Sequence, residues 1–312
     1  SMSKMKFAAL AAMATASVLL VAGCASTTTA TPTASANTDD GAIPTVQVDS
    51  AAAALLPAKF KTAGINVASD IPYAPMEMFD DENKPTGFDY DLSQSIGQKL
   101  GVTVSFNKQA WDSIIPSLQA GNHDIIMSGM NDTVERQATL DYVDYFKGGF
   151  SIVVAKGNPQ GIKTLTDLCG QAVTIQKATV QGDMLKALTP QCTTAGKKAV
   201  IVNEYPSDPE ALNALRAGKG VADVMDAPIA AYAAQTSGKG QYFDLITDAA
   251  NPNGYEAVYT GIGILKANKE LTAALQAAVQ SLINDGTYGK ILAKWNLSSF
   301  GVQTATINGT KK

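Results

Sequence analysis

The chain has 312 residues, with 28 acidic against 24 basic side chains and a formal net charge of −4. That mild acidity, with no basic stripe, excludes nucleic acid as a partner. One histidine and three cysteines offer no donor set for a metal centre, and no cofactor is expected.

Residues 1–24 read as an export signal. Lys4 and Lys6 form its basic start, Phe7 to Val21 is apolar but short for a membrane span, and Val21-Ala22-Gly23-Cys24 has the form of a lipobox. Cys24 is expected to carry lipid and hold the protein on the outer face of the cytoplasmic membrane. Residues 25–56, rich in Thr, Ala and Ser, bury too little surface to offset their chain entropy and predict a flexible tether. With Cys24 lipidated, Cys169 and Cys192 remain, and an oxidising compartment makes a disulfide between them the default.

From Lys59 onward short β runs alternate with helical stretches, which predicts an α/β fold with largely parallel sheets. Strands are expected at Ile65–Ser69, Val102–Phe106, Asp124–Met127 and Phe150–Val154. Between them lie a helix through Leu92, Ile96 and Leu100, stopped by Gly101, and a short one over Ser113–Gln119. A second alternating set follows, with strands at Ala172–Ile175, Val200–Asn203, Val221–Met225, Phe243–Ile246 and Val258–Leu265. Its helices are expected at Gln181–Leu188, Pro209–Ala217 and Pro228–Gln235; Lys269–Ile283 and Thr287–Trp295 close the body, and residues 301–312 predict a frayed tail.

The stretch Ser128-Gly129-Met130-Asn131-Asp132-Thr133-Val134-Glu135-Arg136 is the most informative. A buried strand runs into a turn at Gly129, and Asp132 with Glu135 has capping-box spacing, predicting a helix with Arg136 in its first turn. Backbone N–H groups and a two-pronged guanidinium aimed at one point suit a small carboxylate. The alternative is an Arg136 paired with Glu135 or Asp132 on a solvated face.

Together with Ser69-Asp70-Ile71-Pro72-Tyr73-Ala74-Pro75, Gly87-Phe88-Asp89-Tyr90-Asp91-Leu92 and Asp285-Gly286-Thr287-Tyr288…Trp295, this stretch resembles the extracellular solute-binding proteins of amino-acid ABC importers, the polar amino-acid (family 3) group. The resemblance implies a two-lobe, type II periplasmic-binding-protein-like α/β fold, each lobe a mixed sheet flanked by helices. It puts residues 57–150 and 256–300 in one lobe and 151–255, with both disulfide cysteines, in the other. Hinge strands would cross near Gly148–Ser151 and Tyr255–Thr260. Carried over by position, Arg136 grips the ligand's α-carboxylate beside the backbone of Gly129 and Asn131, while Thr179 opens a helix that offers its N–H groups to the same carboxylate. Asp226 pairs with the α-ammonium, Tyr73 and Trp111 form aromatic walls, Asp70 braces the binding loop, and Glu77 and Gln181 are candidates for the side-chain pocket.

The same residues admit structural roles: Tyr73 and Trp111 as core, Asp226 and Thr179 as helix caps. The sequence departs from the family at Asn131, where Ser or Thr is common, and at Gln176–Val180, which lacks the usual glycine. The implied protein is a monomeric lipid-anchored receptor that binds a free amino acid and delivers it to an ABC permease. Two alternatives remain: a periplasmic dehydratase of cyclohexadienyl type, with Glu77 or Glu204 as its only candidate acids, and a ligand-sensing partner of a membrane receptor.

Overall fold

The computed structural model describes residues 42–312; the expected export signal, Cys24 and residues 25–41 of the expected tether lie outside the described residues. In chain order the elements are α1 (Ser50–Leu55), α2 (Ala58–Ala63), β1 (Ile65–Ser69), β2 (Met78–Phe79), β3 (Pro85–Thr86), α3 (Phe88–Leu100), β4 (Val104–Lys108), α4 (Ile114–Gln119), β5 (Ile125–Ile126) and β6 (Leu140–Ala155). There follow β7 (Ala172–Gln176), α5 (Val180–Ala187), α6 (Thr189–Thr194), β8 (Ile201–Tyr205), α7 (Asp208–Arg216), β9 (Ala222–Asp226), α8 (Ala227–Thr236), β10 (Phe243–Ile246), β11 (Tyr255–Leu265), α9 (Lys269–Asn284) and α10 (Thr287–Lys294).

Nine strands form one mixed sheet in the order β4-β1-β5-β11-β6-β9-β7-β8, with β10 also on β6. β1 pairs in parallel with β4 and β5, and β7 with β8 and β9, while β6 and β11 run antiparallel to their neighbours. The 16-residue β6 holds the two parallel groups together: β11 pairs along it as far as Phe150, and β9 starts at the same Phe150. Helices cover the sheet because their apolar residues recur at helical spacing. In α3, Phe88, Leu92, Ile96 and Leu100 are buried one turn apart, and Gly101 ends the helix in a left-handed conformation. Phe150, Ile152, Val173, Ile175, Leu185 and Val224 build a separate core in the β7–β9 half.

Where the chain passes between the halves it is made of glycine for steric reasons. A Cβ on Gly149 would sit 2.3 Å from the Tyr255 carbonyl oxygen, and one on Gly254 would sit 2.6 Å from the Gly149 carbonyl carbon. The Gly149 N–H donates to the Asn253 carbonyl at 2.8 Å, so the two connecting segments are zipped at backbone distance. The Cys169–Cys192 disulfide is formed, as expected, joining the turn before β7 to α6.

Four expectations need correction. The tether expected as far as residue 56 ends sooner: Val46, Ala52 and Leu56 are buried in the core, and Asp49 caps α1 by accepting from the Ala51 and Ala52 N–H groups. The tail at 301–312 is not frayed: Ile307 bridges Val143, Ala305 is buried, and several side chains take up its polar groups. No α-helix opens at Asp132. The segment makes one 3-10 turn, Arg136–Ala138, without a capping box; Thr133 Oγ1 accepts from the Arg136 N–H at 3.1 Å instead. Finally, the strand expected at Phe150–Val154 extends back to Leu140, because the alternation of Asp141, Asp144 and Lys147 with apolar residues hid a stretch buried on both faces.

Candidate functional site

A cavity of about 20 Å³ lies between the two halves, lined by Asp70, Tyr73, Trp111, Ser128, Gly129, Asn131 and Arg136 from one side and Gln176, Thr179, Gln181 and Asp226 from the other. The sheet explains the convergence: Asp70 follows β1, Ser128 and Gly129 follow β5, Gln176 ends β7 and Asp226 ends β9. These are the carboxyl ends of parallel strands, where an open α/β sheet exposes its loops.

Arg136 sits at the rim of this cavity. Its Nη1 donates to the Asn131 carbonyl at 2.9 Å and its Nη2 reaches across to the Ala178 carbonyl at 3.1 Å. The guanidinium lies over the Trp111 ring, 5.4 Å from the centroid, and Trp111 Nε1 donates to the same Ala178 carbonyl at 3.3 Å. Neither Glu135 nor Asp132 pairs with it among the described residues. Ala178 has φ +58, a left-handed conformation that glycine adopts freely and alanine only at a cost of about 1 kcal/mol. The missing family glycine therefore leaves the turn in place and adds strain to it. Thr179 is the N-cap residue of α5, but its Oγ1 donates to the Gln176 carbonyl at 2.7 Å, so the first-turn N–H groups have no side-chain cap.

Facing them, the Asp226 carboxylate accepts the Tyr73 hydroxyl and, at 3.3 Å, Asn131 Nδ2. It makes no cap bond to α8, so the helix-cap role is not the one it plays. Burial pushes its pKa up to about 6, against the opposing pull of those two donors and of Arg136. Asn131 Nδ2 also donates to Thr260 Oγ1, which ties the loop to β11. Asp70 accepts Gln176 Nε2 at 2.9 Å across the divide, and burial raises its pKa. Asp112 and Lys177 add an ion pair at 3.0 Å beside the cleft. The halves are thus latched by polar contacts around one charged pocket.

Glu77 is the site candidate that the structure does not bring in. It is fully buried beneath the pocket floor, accepting from Ser128 Oγ at 3.2 Å, and it is absent from the cavity lining. Burial and then the neighbouring Asp89 push its carboxyl well above the usual range. Asp89 accepts the Gly129 N–H at 2.8 Å and the Tyr145 hydroxyl at 2.5 Å. This pair buttresses Gly129, whose positive φ and contact with the Tyr73 ring leave little room for a side chain.

Sequence reasoning missed Gln176 and Ser128 as lining residues, and Asp208 as a charge behind Asp226. Burial, then the charges of Asp226 and Asp70, hold Asp208 at a pKa of about 7. The available signal was positional, since Gln176 and Ser128 each follow a predicted parallel strand. Beyond Trp111 and Arg136 a wider hollow of about 470 Å³ opens, with Ile114, Met130, Lys186 and Glu204 in its walls.

Known proteins match this arrangement. Residues 65–298 match the family model described as bacterial extracellular solute-binding proteins, family 3. The arginine-binding protein ArgT of Corynebacterium glutamicum is 31% identical over 248 residues, covering 79% of this chain and 77% of that protein. A solved structure of an ancestral arginine-binding protein bound to glutamine is 34% identical with a TM-score of 0.65, covering 75% of this chain and 97% of that one. Another, of the ancestral amino acid-binding protein AncCDT-1, a precursor of cyclohexadienyl dehydratase, is 30% identical with a TM-score of 0.66, covering 76% and 97%. The two-lobe α/β architecture is common to these proteins and to this chain, which belongs to the bacterial extracellular solute-binding proteins of family 3.

Proposed function

We propose that the protein captures a free amino acid between two lobes, residues 57–150 with 256–300 and residues 151–255, and delivers it to an ABC importer from a lipid anchor at Cys24. The observation that carries this reading is that Arg136 and Asp226, from opposite sides of the divide, line one cavity. Arg136 and the uncapped N–H groups of α5 take the α-carboxylate, exchanging backbone carbonyl partners for an anion of better charge match. Asp226 takes the α-ammonium, assisted by Tyr73 and Asn131, while Tyr73 and Trp111 flank the ligand stem. Asp70 in the lining and Asp208 behind Asp226 favour a cationic side chain, in keeping with the arginine-binding relative. Gly149 and Gly254 are where the lobes swing.

The protein acts by binding alone. Glu77, the acid a dehydratase would need, is sealed under the floor, and Glu204 lies in the wider hollow with Lys186 at 3.4 Å. The test is a thermal-shift screen of the soluble body, residues 42–312, against the common amino acids, with calorimetry on the hits. Arginine or another basic amino acid is expected to give the largest shift. Silence from every amino acid, or turnover of a cyclohexadienol, would refute the reading.

A further inference from the structure

The family match ends at residue 298, yet the chain beyond it returns to the site. Residues 305–310 run antiparallel beside the first half of β6. Asp144 N–H donates to the Thr306 carbonyl at 2.8 Å, Ile307 bridges Val143, and Asn308 exchanges bonds with Tyr142 through its backbone N–H (3.0 Å) and its Oδ1 (2.7 Å). Gln276 Nε2 holds the Ala305 carbonyl at 2.9 Å. The last contacts reach the Arg136 loop. Gly309 N–H donates to Asp144 Oδ2 at 2.7 Å, Thr310 N–H to Asp132 Oδ2 at 3.2 Å, and Gln137 Nε2 to the Thr310 carbonyl at 2.8 Å. Gln137 Nε2 also donates to Asp132 Oδ1 at 2.6 Å, so a closed ring joins tail and loop.

Asp132 and Gln137 bracket the segment that carries Arg136, and each adjoins a residue of the pocket, Asn131 and Arg136. We propose that the C-terminal strap, residues 305–310, is a positioning element of the ligand site that holds the Arg136 loop in register by clamping Asp132 and Gln137 from behind. This rests on the reading of Arg136 as the carboxylate grip. Without the strap the loop keeps its ties to β11, through Asp132 N–H to the Tyr259 carbonyl (2.8 Å) and Gly261 N–H to the Met130 carbonyl (3.0 Å), but those hold only its first half. Asp132 and Asp144, both fully buried, would then lose the Thr310 and Gly309 N–H groups that donate to their Oδ2 atoms, and Asp132 would keep only Gln137 Nε2. Burial, then the charge of Asp132, raise the Asp144 pKa to about 8, against the pull of the Gly309 N–H that the strap supplies.

The test compares residues 42–312 with a chain ending at Thr304 and with Gln137→Leu in the full-length body. The readouts are hydrogen exchange of amides 131–137 and calorimetric affinity for L-arginine and L-arginine amide, which lacks the carboxylate. Truncation is expected to speed exchange at 131–137 by about tenfold or more, with β1 and β4 unchanged, and to weaken arginine about tenfold while sparing the amide. Gln137→Leu is expected to reproduce both effects in part, and it carries the comparison if the truncated chain fails to fold. Unchanged exchange at 131–137, or equal loss for arginine and its amide, would overturn the proposal. Undiminished arginine binding by Arg136→Ala would instead overturn the functional reading and leave the exchange result standing.

Discussion

Replacing Asp226 with Asn probes the ammonium half of the pocket through its pH dependence. Burial lifts the Asp226 pKa from 3.8 to about 6, so holding the bare carboxylate in the pocket costs about 3 kcal/mol relative to water. An α-ammonium needs the charged form. Above about pH 6 that form is already populated, so Asp226 itself adds no further pH dependence, and what remains there comes from Asp208, whose pKa is about 7. Below pH 6 each unit should weaken binding about tenfold, because the carboxyl must shed its proton to bind. The amide in Asp226→Asn keeps an acceptor for the Tyr73 hydroxyl but has no charge, so the variant should lose about 2–5 kcal/mol of affinity at pH 7.5 and show a shallower slope below pH 6 than the native protein. Calorimetry with L-arginine from pH 5 to pH 8 measures both. A wild-type affinity that stays flat to pH 5, or an equal slope in Asp226→Asn, would show that Asp226 does not carry the ammonium contact.

The other predictions concern the rest of the site and its support. Arg136→Ala should cost more than about tenfold in affinity for every amino-acid ligand, and an amino acid binding no better than its decarboxylated amine would defeat the assignment. Glu77→Gln should leave the ranking of ligands unchanged in competition calorimetry, since Glu77 lies under the floor; a reordered ranking would return it to the pocket. Cys169→Ser with Cys192→Ser should lower unfolding stability by about 3 kcal/mol on the loop-entropy model, read by urea titration, and leave affinity within about twofold. For Asp144 the folded carboxyl binds its proton more tightly than the unfolded one. Its stabilising contribution is therefore full below pH 3.8 and is lost as pH rises to about 8, by at most about 6 kcal/mol. Urea titrations at pH 5, 7 and 9 should show that decline, and Asp144→Asn should flatten it.

Much of this architecture is legible because it is written in local periodicity. Phe88, Leu92, Ile96 and Leu100 repeat at helical spacing, the strand Phe243–Ile246 has the bounds its pattern predicts, and the two cysteines left after Cys24 form the pair seen. Arg136, Asp226, Tyr73, Trp111 and Thr179 follow from chemistry and family resemblance, and all line one cavity. Local pattern is least informative where polar residues are buried. Asp132, Asp141 and Asp144 are nearly or fully inaccessible and each accepts from a partner more than a hundred residues away, and so the full strand Leu140–Ala155 and the docked tail escape a sequence reading.

Sequence by itself determined the alternation of helix and strand, the disulfide and the residue types proposed to meet a zwitterion, since each follows from spacing or from side-chain chemistry. Tertiary structure alone decided that Glu77 lies beneath the pocket rather than in it, that Gln176 closes onto Asp70, and that residues 305–310 reach back to the Arg136 loop. Those outcomes depend on hydrogen bonds between distant segments, whose geometry exists only once the sheet has brought β1, β5, β7 and β9 to a common edge.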